Sequence, residues 1–357
     1  MKKKLVALLM TATMAAALTA CGSGSSTQQA AATGSEETAE EPAAEEESAE
    51  PEAGEEEPAE EAAASGTDID TSELVFAFAP PTMNNPFYLA VEQGIKDMMT
   101  ENGMDPEKQL ITVDAESDQN TMNNFIYDLI NQEISALIMA PTDCTACTEA
   151  LQACADANIP VINVDTKVDR DDLVISVINS DNYQAGVLDA QDMMGRLDEG
   201  SKICIMNKPA GTACVERENG FLETVGDYFE VIGTYDTKAD TATTLSVAED
   251  VITSDADIAG FFAINDMAAL GCVQACAASN RDDILIYGVD GNPNFMGYVE
   301  DSSATASAAQ QPSVVGKNAV TVALDYLSGK EVEKEIVIPV ELITFENVGN
   351  YDISDWQ

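Results

Sequence analysis

The chain has 357 residues, with 64 acidic side chains against 16 basic ones and no histidine, a formal net charge of −48. A surface this acidic repels phosphate backbones, which excludes nucleic-acid binding. Without imidazole, Ser-His-Asp triads, Cys-His dyads and histidine-ligated metals are excluded too, while chemistry by paired carboxylates stays open.

In chain order, Lys2, Lys3 and Lys4 precede an apolar run from Leu5 to Leu18. That run falls short of the roughly 20 residues a bilayer needs, so residues 1–20 read as a secretory signal rather than a spanning helix. It ends in Leu18-Thr19-Ala20-Cys21, which resembles the lipobox of bacterial lipoproteins, in which the cysteine is lipidated. Ordinary signal cleavage beside an incidental cysteine is the other reading. Two or more acyl chains on Cys21 would give a stable membrane anchor where one would not. Residues 22–67 are almost only Gly, Ser, Ala, Thr, Gln, Glu and Pro, and residues 36–61 hold fourteen glutamates with no lysine or arginine. Such a segment cannot offset its ordering entropy, so residues 21–72 are expected to be a disordered acidic linker after the lipidated cysteine. Even without it, residues 68–357 carry 50 acidic and 13 basic side chains.

From residue 73 the pattern turns regular. Short apolar runs suited to buried strands occur at Leu74–Ala79, Leu110–Val113, Ala136–Ala140, Val161–Val164, Val174–Ile178, Ile203–Met206, Val231–Tyr235, Ile258–Ala263, Ile284–Val289 and Thr305–Ala308. Helical stretches fall between most of them. Asn85 and Pro86 are placed to open a helix that Gly103 ends, and Met122, Phe125, Ile126, Leu129 and Ile130 share one helix face. A further helix is expected from about Asp143. Apolar strands alternating with helices imply parallel sheets covered on both faces, and about 290 residues of this pattern imply two α/β lobes.

Seven cysteines follow Cys21, an odd number that cannot all pair. Cys144-x-x-Cys147 invites a redox or zinc reading, but no second pair and no histidine completes a metal set. Most of the seven stand in apolar helix or strand contexts and are expected as buried thiols. No metal and no cofactor are expected.

In open parallel sheets, ligands sit beyond the carboxyl ends of the strands. Asp165 follows VINV, Asn265 follows FFAI, Asp290 follows ILIYGV, and Asn84–Tyr88 lies after the first strand. Asp and Asn suit adjacent hydroxyls, and an aromatic face suits the CH face of a sugar ring. Each alone reads as readily as a cap or turn former. Their recurrence at corresponding strand ends points to one shared site.

At these residues the chain resembles the ribose-type sugar-binding proteins of ABC importers, with the type I periplasmic binding protein fold. The matching strings, in order, are NNPFY (84–88), APTD (140–143), NIPVINVD (158–165), SDN (180–182), ERENGF (216–221), NDMAALG (265–271), YGVDGNP (287–293) and AQQP (309–312). The resemblance implies two Rossmann-like lobes, parallel sheets flanked by helices, joined by a three-crossover hinge. The first lobe would comprise residues 73–179 and 311–339, the second 180–310 and 340–357. It further implies that Asn85 bonds a sugar hydroxyl, that Phe87 and Tyr88 pack on the ring, and that Asp165 accepts from hydroxyls. Arg217 would donate in a planar fork. Asn265 and Asp290 would complete the second lobe, with Gln310 near a crossover. Two positions depart from the ribose binders: Thr166 stands where they place an arginine, and Lys238-Ala239-Asp240 where they place a phenylalanine.

The function expected is that of an extracytoplasmic, lipid-anchored binding protein, not an enzyme. It would capture a monosaccharide or polyol and deliver it to an ABC permease with its ATPase, and a monomer is expected. Two other outputs stay open: presenting a sugar or autoinducer-2-like ligand to a membrane sensor or kinase, and, less well supported, carboxylate glycosidase activity using Asp165 and Asp290. Sugar-responsive repressors share this fold but need a basic helix-turn-helix in front, where this chain has its signal and acidic linker.

Overall fold

The computed structural model describes residues 69–356. The signal segment, Cys21 and the acidic linker up to residue 68 lie outside the described residues.

The elements run β1 (Phe76–Ala79), α1 (Pro86–Glu101), α2 (Pro106–Gln109), β2 (Leu110–Thr112), α3 (Gln119–Asn131), β3 (Ala136–Met139), α4 (Thr148–Asp156), β4 (Val161–Val164) and β5 (Ser176–Ser180). They continue with α5 (Asn182–Arg196), β6 (Lys202–Asn207), α6 (Thr212–Val225), β7 (Glu230–Asp236), α7 (Thr241–Ser254), β8 (Ile258–Ala263), α8 (Asp266–Ser279) and β9 (Leu285–Asp290). The remainder is α9 (Pro293–Glu300), β10 (Ala306–Ala309), α10 (Pro312–Leu327), β11 (Glu335–Ile338) and β12 (Glu341–Thr344).

Two six-stranded sheets result, ordered β2-β1-β3-β4-β5-β11 and β7-β6-β8-β9-β10-β12. The first is wholly parallel, and the second has one antiparallel pairing, β10 with β12. In both, the order reverses at the first strand of the lobe, which opens a crevice at the strands' carboxyl ends. Each sheet is apolar on both faces because helices cover both. In the first lobe Phe76 and Phe78 join one core while Ala77 and Ala79 join the other. In the second, Phe261 and Phe262 divide in the same way, and Phe262 stacks on Phe221 at 4.2 Å and 6°.

Two helix pairs come close enough to require glycine. A Cβ at Gly94 of α1 would lie 2.1 Å from the Ser313 carbonyl oxygen, and one at Gly316 of α10 would lie 2.1 Å from that of Val91. In the second lobe, Gly186 of α5 and Gly220 of α6 stand 2.0 Å from the Arg217 and Tyr183 carbonyls on the same measure.

The chain passes between the sheets at Asp181, at Gln310–Gln311 and at Pro339–Val340, each passage only one or two residues long. After β12, Tyr351 and Ile353 pack on the second-lobe core, but Trp356 packs on the first, edge-on to Phe87 with ring centroids 6.0 Å apart at 80°. The assignment of 340–357 wholly to the second lobe therefore stops short of Trp356, whose aromatic contact draws it to the other lobe.

Two sequence expectations change. Helix α4 starts at Thr148, not near Asp143, because the Asp143 carboxylate accepts from the Thr145 and Ala146 amides and caps a turn instead. Strands β11 and β12 are additional; both are edge strands, β11 with alternate residues facing solvent and β12 with only its first residue, Glu341, exposed. The seven described cysteines are all free, six of them buried, and the Cys147 thiol is pushed up to about 12 by burial.

Candidate functional site

The first-lobe wall starts at the turn after β1. Asn85 caps α1, its Oδ1 accepting from the Phe87 amide at 3.0 Å, while Pro86 occupies the first helical position. That cap fixes the first turn and sets Phe87 and Tyr88 edge-on to each other at 5.3 Å and 89°. Tyr88 Oη donates to Asp165 Oδ2 at 2.8 Å, and Thr166 Oγ1 donates to the same oxygen at 2.9 Å. Burial first, and then the Asp165 charge, pushes the Tyr88 phenol well above its usual range, which keeps it a donor. Asp165 Oδ1 receives no hydrogen bond from the described residues, and Asp165 lines the cavity.

The second-lobe wall is built around Arg217, buried in the second turn of α6. Its Nε donates to Asn182 Oδ1 at 2.8 Å and its Nη1 to the Ile264 carbonyl at 2.7 Å. Nη1 also stands 3.6 Å from Asp290 Oδ1. Burial is the largest influence and works against the charge, but Asp290, Cys214, Asp165 and Tyr88 together outweigh it and Arg217 is raised above its ordinary value. Gln310 Nε2 donates to Asp290 Oδ1 at 2.7 Å, whereas Asp290 Oδ2 is buried without any partner. Burial pushes the Asp290 carboxyl up to about 7, opposed by Arg217 and Gln310. Asn265 caps α8 through Oδ1, leaving its amide nitrogen to the cavity it lines.

Both carboxylates sit on unusual backbone, with φ of +61° at Asp165 and +139° at Asp290. Left-handed geometry at a strand end turns the side chain out of the sheet, at a cost of order 1–3 kcal/mol for a non-glycine residue.

A cavity of ≈ 620 Å³ lies between the lobes. The structure brings Asn85, Phe87, Tyr88, Asp165, Arg217, Asn265 and Asp290 together in its wall, and Gln310 stands one layer back, behind Asp290. Thr166 and Ala239, the two departures from the ribose binders, line the same wall. So do Lys208, Cys214 and Met267, which strand-end reasoning missed because they come from the loop after β6 and the first turns of α6 and α8. Two deeper carboxylates were also missed. Asp266 accepts from the Asn292 amide at 2.7 Å and the Ser307 hydroxyl at 2.8 Å, and burial followed by the Asp290 charge pushes it well above the carboxylate range. Asp189 in α5 is fully buried with neither oxygen partnered, and burial raises it likewise. In sequence both read as ordinary helix-surface acids.

The model of the periplasmic binding protein domain matches residues 76–331. The chain belongs to this family. Among curated members, the ribose import binding protein of Bacillus subtilis is 32% identical over 273 residues, covering 76% of this chain and 88% of its own length. The D-allose-binding periplasmic protein of Escherichia coli is 26% identical, covering 70% and 83% respectively. A solved ABC transporter solute-binding protein from Mycobacterium smegmatis, with bound glycerol, is 26% identical with a TM-score of 0.72 over 78% of this chain and 96% of its own. As a periplasmic binding protein of the ribose type, the chain binds solute rather than transforming it, and the glycosidase reading of Asp165 and Asp290 falls away.

Proposed function

We propose that this protein captures a monosaccharide or related polyol in the interlobe cavity and delivers it to an ABC importer outside the cytoplasm. One observation carries the reading: facing lobes each bring a carboxylate into the wall of one polar cavity, and each has an oxygen with no protein donor, Asp165 Oδ1 and the buried Asp290 Oδ2. A vicinal polyol supplies such donors in pairs, and its ring oxygen and remaining hydroxyls accept from the amides of Asn85 and Asn265 and from Arg217. Phe87 and Tyr88 offer the apolar surface that the CH face of a ring covers. The named ligands of relatives, ribose and allose, are of this class. Thr166 uses its hydroxyl on Asp165 where the ribose binders have an arginine, and Ala239 leaves room where they have a ring. A ligand bulkier than ribose on the second-lobe side suits that wall.

Thermal shift and calorimetry over pentoses, hexoses and polyols, including D-ribose, D-allose and glycerol, test the reading. A raised melting point with saturable heat for one of them is expected, and its loss in Asp165→Ala. No response across the panel would sink it. Membrane attachment through acylated Cys21 is part of the same proposal, supported by the Leu18–Cys21 string. Cys21→Ser should shift the protein from the membrane to the soluble fraction, and unchanged fractionation would refute the anchor.

A further inference from the structure

The segment after β12 crosses between the lobes at a point the three sheet-to-sheet passages do not account for. Tyr351 and Ile353 rest on the second-lobe core and Trp356 on the first. Trp356 is absent from the cavity wall, yet its ring meets the edge of Phe87. Phe87 in turn meets Tyr88, and Tyr88 donates to Asp165. A continuous row of contacts thus runs from the back of α1 to a cavity carboxylate, and Trp356 is its outer end.

We infer that Trp356 is a positioning residue for the cavity: carried across by a fourth interlobe passage, it holds Phe87, and through it Tyr88, in the orientation that delivers the Tyr88 hydroxyl to Asp165. The Asn85 cap fixes the backbone of the first turn of α1 but not the pitch of two rings that both follow it directly. Edge-to-face packing is directional, so an indole against Phe87 restricts that pitch where an aliphatic side chain would not. The passage also ties ring position to lobe position, since Tyr351 and Ile353 move with the second lobe. Removing the indole frees Phe87 to tilt, and Tyr88 loses the neighbour that keeps its hydroxyl over Asp165. The effect on affinity rests on the sugar-binding reading; the effect on α1 does not.

The full-length protein, Trp356→Ala and Trp356→Phe provide the test, with two readouts. Hydrogen exchange at the amides of residues 86–91 should quicken in Trp356→Ala while the sheet strands keep wild-type protection, and Trp356→Phe should restore the slow rate. Calorimetry with D-ribose, D-allose and glycerol should show, for whichever probe wild type binds, affinity about tenfold weaker in Trp356→Ala and near normal in Trp356→Phe. Unchanged exchange at 86–91 overturns the proposal whether or not a probe binds, and so does quickened exchange with undiminished affinity. Loss of protection throughout the strands, unrescued by Trp356→Phe, also overturns it, because the residue is then structural. If wild type binds none of the three probes while exchange still responds as expected, the sugar reading suffers and the ring-holding contact stands.

Discussion

Asp290 is enclosed on every side, yet only one of its oxygens has a donor. Burial raises it to about 7, with Arg217 and Gln310 opposing and the Asp165 charge reinforcing; Asp266, itself raised, lies close behind. An unfolded aspartate titrates near about 3.9, so between about 4 and 7 the ligand-free folded state holds a proton that the unfolded state has lost. This group's contribution to stability is therefore fully present at the acid end of that window and is lost as pH rises through it. Ligand works in the other direction. A hydroxyl donating to Oδ2 favours the ionised carboxylate, so binding expels the proton. Affinity for the bound sugar should then fall as pH drops below about 7, approaching tenfold per unit for one linked proton. Calorimetry in buffers of different ionisation enthalpy should register that released proton. Asp290→Asn should bind weakly with a flat profile, since the amide cannot change charge. Affinity that rises on acidification would mean Asp290 donates to the sugar as an acid, and the assignment of Oδ2 as acceptor would be wrong.

Among the elements, the reciprocal glycines of α1 and α10 set how closely the first lobe closes over its sheet. Alanine at Gly94 brings a helix-propensity gain of about 1 kcal/mol, but its Cβ lies 2.1 Å from the Ser313 carbonyl. A backbone carbonyl cannot step aside without parting the helices, so the clash wins and Gly94→Ala should destabilise by about 1–3 kcal/mol. Gly195 in α5 has nothing within 4 Å of its would-be Cβ, so Gly195→Ala should stabilise by up to about 1 kcal/mol. Urea unfolding of both variants checks the pair, and equal signs would contradict the packing account. The same geometry explains what the sequence shows plainly. Strands such as FAFA and ALIM stand out because helices cover both faces, leaving four apolar residues in a row. Strand β11 escapes because an edge strand half in water alternates like any exposed segment, and β12 because after the exposed Glu341 it offers only Leu342 and Ile343 as an apolar pair. The walls follow the same division. Asp165, Asn265 and Asp290 are legible from strand-end position alone. That Gln310 serves Asp290 rather than the cavity, or that Asp189 is buried without a partner, depends on how α5 and β10 pack, which no local pattern encodes.

In the whole molecule, the two lobes meet through few direct bonds. Thr212 Oγ1 at the start of α6 donates to the Lys167 carbonyl at 2.9 Å, joining second lobe to first at the cavity rim. Against that, any closure that brings Asp165 toward Asp290 sets two carboxylates against each other; burial is the main cause of the raised Asp290 carboxyl, and the Asp165 charge adds to it. An empty cavity therefore makes closure costly, and a polyol that donates to both carboxylates removes the cost while adding contacts that only the closed form completes. Such a ligand shifts an existing open–closed equilibrium by its differential affinity for the two forms. The passages at Asp181, Gln310–Gln311 and Pro339–Val340 are short enough to act as hinges, absorbing rotation while each sheet stays rigid. Small-angle scattering on protein trimmed of residues 1–67, with and without saturating sugar, should show a smaller radius of gyration in the bound state. Asp165→Ala removes one pole of the repulsion and one ligand contact together, so its unliganded radius should fall toward the closed value while its response to sugar shrinks. A radius that ignores ligand in the unmutated protein would make this a rigid binding module, and a permease reading paired lobe surfaces would have nothing to distinguish loaded from empty.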